Sequence, residues 1–218
     1  MDIKIVLADD HAIVRHGLNK SLQQQEDMEV VGQAKDGLTA IQLVRELKPD
    51  IVIMDISMPD INGMDATIEI VRDYSQTKVI ALTMHSGKKF VREMFKAGAS
   101  GYLLKDCDFD ELADAIRMVM EGKRYLSPEI TDVVLDGYVN EENEEKSSVF
   151  SILSKRERQV LQLLSEGLTT KQIGLKLHIS PKTVEAHRLH VMEKLDIDNI
   201  AQLTKYAIQE GLTSSEIK

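Results

Sequence analysis

The strongest constraint in this chain is a rhythm. From residue 3 to about residue 122, short β-branched apolar runs alternate five times with longer stretches whose apolar residues recur at helical spacing. Residues 3–8, 29–33, 51–54, 78–82 and 100–103 read as strands, and the segments near 12–25, 38–47, 64–72, 88–97 and 110–121 as helices. A run such as Ile51-Val52-Ile53-Met54 is apolar on both faces, which suits a parallel sheet covered by helices on either side. These five βα units predict an α/β fold, a doubly wound, five-stranded parallel sheet whose ligands sit beyond the carboxyl ends of the strands.

Past Pro128 the rhythm changes. A short helix near 129–138 gives way to Asn140-Glu141-Glu142-Asn143-Glu144-Glu145-Lys146-Ser147-Ser148, which has no apolar side chain to bury. It reads either as a linker or as a solvated helix end, and in both cases separates two cores. The expected division is a first domain over 1–125, a connecting helix and acidic linker over 126–149, and a second domain over 150–218.

After Phe150 every element reads as helical, at roughly 155–166, 170–177, 181–195 and 200–210. Ser154-Lys155-Arg156-Glu157 and Thr169-Thr170-Lys171-Gln172 both have capping-box spacing, in which a hydroxyl and a carboxylate or amide satisfy the free N–H groups of a helix start. Ser180-Pro181 places a cap before a proline that loses no donor at the first helical position. Gly167 and the segment 196–199 mark helix ends. A tight turn at His178-Ile179-Ser180 joins the second helix to the third, so the second domain reads as a small all-α, four-helix helix-turn-helix domain.

Charge bears on what such a domain can bind. The net charge of −9 argues against a phosphate backbone as partner. The sum hides a segregation, because residues 150–218 carry 10 Lys/Arg against 8 Asp/Glu while 128–149 carry 1 against 7. The helical domain is therefore mildly basic. The single cysteine, Cys107, cannot form an internal disulfide, and no run approaches the roughly 18 apolar residues of a membrane span. A reducing, cytoplasmic setting and no membrane partner are the expectation.

Asp9 and Asp10 close the first strand and Asp55 closes the third. Strand ends of a parallel sheet meet along one edge, so the three carboxylates converge. Taken alone, Asp9-Asp10 reads more readily as a helix cap or solvated turn than as a metal site. Three clustered carboxylates repel one another unless a cation compensates, and hard oxygen donors suit Mg²⁺. Thr83 ends the fourth strand and Lys105 follows the fifth, adding a hydroxyl and an ammonium, both groups that bind anions. An anion carried by Asp55 beside Mg²⁺ satisfies the whole set, which then describes a phosphorylated aspartate with Asp55 as the nucleophile.

Five segments in order, Leu7-Ala8-Asp9-Asp10-His11, Ile53-Met54-Asp55-Ile56-Ser57, Met58-Pro59-Asp60-Ile61-Asn62-Gly63, Ala81-Leu82-Thr83 and Gly101-Tyr102-Leu103-Leu104-Lys105, resemble the flavodoxin-like receiver domain of bacterial two-component response regulators. The resemblance implies phosphotransfer from a sensor histidine kinase to Asp55, with Mg²⁺ held by Asp9, Asp10, Asp55 and the main-chain carbonyl of Ser57. It also implies that Thr83 and Tyr102 form a switch pair, the hydroxyl moving toward the phosphate as the ring turns inward. One departure stands out. Many receivers have a cis proline after the lysine, whereas Asp106 follows Lys105 here, and a cis bond without proline costs about 2.5–4 kcal/mol, so a trans peptide is expected.

On a helical wheel for 181–195, Val184, Val191 and Leu195 fall on the buried side. The opposite face presents Lys182, Glu185, Ala186, Leu189 and His190, flanked by Thr183, Arg188 and Lys194. Such a face fits the major groove of double-stranded DNA. By chemistry, Lys182, Thr183, Arg188 and Lys194 suit backbone phosphates, and Glu185, Ala186 and Leu189 suit base edges. His187 and His190 lie three apart without a third metal ligand in view, and packing explains them better. The runs Leu153-Ser154-Lys155-Arg156-Glu157, Gly167-Leu168-Thr169-Thr170-Lys171-Gln172-Ile173 and Ser180-Pro181-Lys182-Thr183-Val184-Glu185-Ala186-His187-Arg188 resemble the LuxR-type DNA-binding domain. Joined to a receiver, they make the chain similar to response regulators of the NarL/FixJ family. That resemblance implies promoter DNA as partner and a homodimer when phosphorylated.

Two other readings compete. A stand-alone phosphohydrolase with an aspartyl-phosphate intermediate commonly has a second aspartate two residues after the nucleophile, and that position is Ser57 here. A phosphorelay adaptor would use its helical domain to bind protein only.

Overall fold

The computed structural model describes residues 2–139 and 148–213. Two compact units divide between residues 141 and 142. The acidic stretch 140–147, expected to be a linker or a solvated helix end, lies outside the described residues.

In the first unit the elements run β1 (Ile3–Ala8), α1 (Ala12–Leu22), β2 (Met28–Ala34), α2 (Gly37–Leu47), β3 (Ile51–Met54), α3 (Gly63–Asp73), β4 (Lys78–Thr83), α4 (Lys88–Lys96), β5 (Gly101–Leu104), α5 (Phe109–Met120), β6 (Tyr125–Leu126) and α6 (Pro128–Val139). The strands are parallel, in the order β2-β1-β3-β4-β5-β6. Because side chains alternate across a strand, each strand feeds two cores. Ile5, Leu7, Ile51, Ile53, Ile80, Leu82 and Leu103 meet α1 and α5 through Leu18, Leu22, Leu112 and Ile116. Val6, Ala8, Val52, Met54 and Val79 meet α2 and α3 through Ala40, Val44, Ala66 and Ile70. Each fully buried aliphatic side chain contributes about 1.5–3 kcal/mol, so the two faces lock the register that sets the strand ends side by side.

The sheet has six strands, not the five read from sequence. The sixth, β6, is two residues long, pairing Gly101 with Tyr125 and Tyr102 with Leu126. Two residues carry no periodicity, which is why the pattern did not reveal it.

Loops at the carboxyl edge are held by close backbone approach. Gly63 opens α3 and donates to the Ile56 carbonyl at 2.8 Å. A Cβ at this position would lie 1.9 Å from the carbonyl oxygen of Asp55. Only glycine lets α3 press against the segment that carries Asp55. The Asn62 side chain caps α3 through the Asp65 N–H at 2.9 Å.

The second unit contains α7 (Val149–Ile152), α8 (Lys155–Ser165), α9 (Thr170–Leu177), α10 (Pro181–Leu195) and α11 (Ile200–Gln209). The one-turn helix α7 adds to the four helices expected from sequence. Its cap is Ser148, whose hydroxyl accepts the Phe150 N–H at 3.3 Å. Both capping boxes form, at Ser154/Glu157 and Thr169/Gln172. One core joins Val149, Leu161, Val191, Leu203, Ala207 and Leu212, and a second joins Val160, Leu163, Ile173 and Val184. Helix α8 serves both. Between α9 and α10, His178 adopts the left-handed conformation (φ 54°). A Cβ on Gly174 would lie 2.8 Å from the Ile179 carbonyl, so this glycine permits the tight helix-turn-helix.

Candidate functional site

Asp9 and Asp55 are delivered to the carboxyl edge by β1 and β3. The ladder continues into them, with Asp55 N–H donating to the Ala8 carbonyl at 2.8 Å and Asp9 N–H to Ala34 at 3.1 Å. Both side chains are nearly inaccessible to water. Ligand-capable atoms of Asp9, Asp10, His11 and Asp55 lie within 4.8 Å of one another, the one such group found among the described residues.

Lys105 enters this cluster from the end of β5. Its Nζ stands 2.8 Å from Asp9 Oδ2 and 2.9 Å from Asp55 Oδ2. The other Asp55 oxygen accepts the Ile56 N–H at 2.8 Å. Burial raises the Asp55 pKa, the Lys105 charge pulls it back, Asp9 pushes it up again, and the net effect is a rise. For Lys105 burial acts to lower the pKa, but Asp55 and Asp9 outweigh it and hold the ammonium charged. His11 extends the cluster, with Nδ1 2.9 Å from Asp10 Oδ1 and 3.2 Å from Asp9 Oδ1. Burial works against its charge, yet Asp10 and Asp9 raise its pKa overall. One lysine against three carboxylates leaves local negative charge, and hard oxygen donors in that excess can hold a divalent metal.

Thr83 and Tyr102 meet through His85, which no sequence motif singles out. Thr83 is fully buried, and its Oγ1 accepts the His85 N–H at 3.3 Å. Tyr102 is also fully buried, and its hydroxyl donates to the His85 carbonyl at 2.6 Å. The ring thus already stands inward. His85 Nε2 lies 2.8 Å from Ser57 Oγ, and the imidazole stacks on Phe90 of α4 with centroids 4.2 Å apart. Burial, followed by the Lys105 charge, lowers the His85 pKa and favours the neutral ring. Its position two residues past Thr83 was the available signal. The peptides are all trans among the described residues, that after Lys105 included.

On α10, Val184 and Val191 are fully buried and Leu195 is partly so. Lys182, Thr183, Ala186, Leu189, His190 and Lys194 are exposed, while Glu185 and Arg188 are half-buried. Several of these side chains already have partners. Thr170 Oγ1 donates to Glu185 Oε1 at 2.7 Å, and Arg188 Nε is 3.3 Å from Glu185 Oε2. The Lys194 Nζ is 2.7 Å from Glu157 Oε2, inside the capping box of α8. Thr183 Oγ1 lies 2.8 Å from Ser180 Oγ.

Residues 5–117 match the response regulator receiver domain family, and residues 151–207 match the bacterial regulatory proteins, luxR family. The oxygen regulatory protein NreC of Staphylococcus carnosus (strain TM300) is 41% identical over 214 residues, 96% of this chain and 99% of NreC. The chain is a response regulator of the NarL/FixJ family. Solved structures agree. A LuxR-family two-component response regulator from Aurantimonas sp. SI85-9A1 has a TM-score of 0.62 at 37% identity, over 64% of this chain and 99% of the other. The Salmonella typhimurium response regulator RcsB, studied for its conformational dynamism in DNA interaction, has a TM-score of 0.60 at 27% identity over 94% and 97%. The response regulator therefore joins a receiver to a LuxR-type DNA-binding domain, which sets aside the stand-alone phosphohydrolase and the protein-only adaptor. No helix among the described residues is long and apolar enough to cross a membrane.

Proposed function

We propose that Asp55 is the phosphoacceptor of this regulator, charged by a sensor histidine kinase, and that phosphate on Asp55 controls pairing of two chains and binding of promoter DNA through α10. The observation that carries the reading is the buried Asp55 carboxylate at the tip of β3, flanked by Asp9 and by the Lys105 ammonium. An Asp55 oxygen attacks the phosphorus of a phosphohistidine, the P–N bond breaks, and the imidazole leaves with its electron pair and takes up a proton. Lys105 exchanges its contact with the free carboxylate for a phosphoryl oxygen, and the Thr83 hydroxyl turns toward another.

Asp9, Asp10 and Asp55 offer the hard oxygen donors that Mg²⁺ takes, and their uncompensated charge favours it; the Ser57 main-chain carbonyl would complete the set. When bound, Mg²⁺ shields charge on the transferred phosphoryl group. Hydrolysis of the acyl phosphate is slow, because Ser57 stands where a phosphohydrolase places its acid/base carboxylate. The compartment is the cytoplasm, where promoter DNA is found.

The helical domain is too weakly basic to hold DNA strongly as a single copy, so pairing two on one site supplies affinity by effective concentration. Dimerisation is then the control point. Mobility shifts of the chain's own upstream region, with and without acetyl phosphate, test this. Wild type gains affinity and Asp55→Asn does not; equal activation of both overturns the mechanism.

A further inference from the structure

The exposed face of α10 carries one hydrogen-bonding side chain among its three candidate base-edge residues. Ala186 and Leu189 offer only apolar surface, so polar discrimination there falls to Glu185. A carboxylate near DNA meets repulsion from phosphates and has several rotamers available. In this protein it is held on one side by a hydrogen bond and faced on the other by an ion pair. Thr170 opens α9, and the box of that helix is closed by Thr169 and Gln172, which leaves the Thr170 hydroxyl out of the cap. That hydroxyl reaches across the turn to Glu185 Oε1 at 2.7 Å, 15 residues along the chain. Arg188, one turn further along α10, sits 3.3 Å from Oε2 and offsets the negative charge. A carboxylate has about four acceptor positions, so both oxygens keep capacity for another donor. The side chain of Glu185 remains 42% exposed.

We propose that Thr170 is a positioning residue for sequence reading, holding Glu185 as a fixed acceptor for an exocyclic amino group in the major groove, cytosine N4 foremost. The inference rests on the reading of α10 as the helix that enters DNA, and assigns to α9 a part in specificity rather than in phosphate binding. Thr170 acts through geometry. Without its hydroxyl, Glu185 swings between rotamers and neither accepts from the amino group nor rejects a competing base as firmly.

The test uses the full chain with acetyl phosphate and Mg²⁺ and a pool of short duplexes of random sequence. Bound sequences and their salt dependence are compared for wild type, Thr170→Val, Thr170→Ala, Thr170→Ser, Glu185→Ala and the Thr170→Val/Glu185→Ala double variant. Circular dichroism confirms folding, and two hydroxyl deletions guard against the failure of either one. The expected result is a cytosine preference at one position that Glu185→Ala abolishes and that both deletions weaken by about tenfold, equivalent to about 1.4 kcal/mol. Thr170→Ser retains it, and the double variant is no flatter than Glu185→Ala alone. A deletion that weakens binding equally on all sequences, or lowers the salt slope, overturns the proposal by making Thr170 structural or a phosphate contact. An unchanged profile in Glu185→Ala overturns it too. If wild type selects no duplex, the reading of α10 itself fails and takes the proposal with it.

Discussion

At neutral pH the helical unit is held in part by one carboxylate. Glu157 Oε2 accepts the Ser154 N–H at 2.8 Å, the Ser154 hydroxyl at 2.8 Å and the Lys194 ammonium at 2.7 Å. Burial alone would raise its pKa, but Lys194 and Ser154 together outweigh burial and bring it from 4.5 to about 2. A depression of that size corresponds to about 3 kcal/mol of stabilisation at pH 7. Water screens the Lys194 side chain, which is 43% exposed, and reduces the figure to about 2 kcal/mol. Glu157→Gln removes the charge and keeps the acceptor, as Gln172 does in the box of α9. Because the folded pKa is depressed, this stability is complete above the unfolded value of 4.5, shrinks as pH falls from there, and is gone below about 2. Hydrogen exchange of α8 amides, corrected for intrinsic rates, is expected to show a gap of about 2 kcal/mol between wild type and Glu157→Gln at pH 7, with less than half of it left at pH 3. An equal gap at both pH values refutes the reasoning, since it would show that the charge of Glu157 contributes nothing.

Gly63→Ala forces a Cβ to within 1.9 Å of the Asp55 carbonyl, so thermal unfolding should show a loss of about 3 kcal/mol or more, and an unchanged melting temperature contradicts the close approach. Tyr102→Phe removes the donor to the His85 carbonyl and is expected to cost about 1–2 kcal/mol in urea unfolding; no cost would mean that this bond is not formed in solution. Lys105→Met leaves the Asp9 and Asp55 carboxylates without their cation and should destabilise the receiver by about 3–5 kcal/mol. Millimolar Mg²⁺ should recover part of that loss in thermal scans, and absence of any recovery argues against these carboxylates as metal ligands.

The elements most legible in the sequence are those with chemical punctuation. Helix α10 runs from Pro181 to Leu195 as the Ser180-Pro181 start and the apolar spacing dictate, and β3 coincides with the apolar run 51–54. Asp9, Asp55 and Lys105 could be placed together because parallel strands end on one edge, which makes convergence a property of topology rather than of local sequence. What was not legible depends on pairings across the fold. His85 collects Ser57, Thr83 and Tyr102 from other elements, and no local pattern announces it. A helical wheel gives Lys194 a direction but not its partner, and Glu157 lies 37 residues earlier. Strand β6 is too short for periodicity, and Ser148 closes a polar run while acting as the buried cap of α7.

The central claim is that Asp55 carries the phosphoryl group. Tandem mass spectrometry of peptides from the full chain, after incubation with acetyl phosphate and Mg²⁺, addresses it directly. The account predicts a single phosphoryl group on Asp55 in wild type and none in Asp55→Asn. An unmodified Asp55, or equal modification of wild type and Asp55→Asn at another residue, contradicts it.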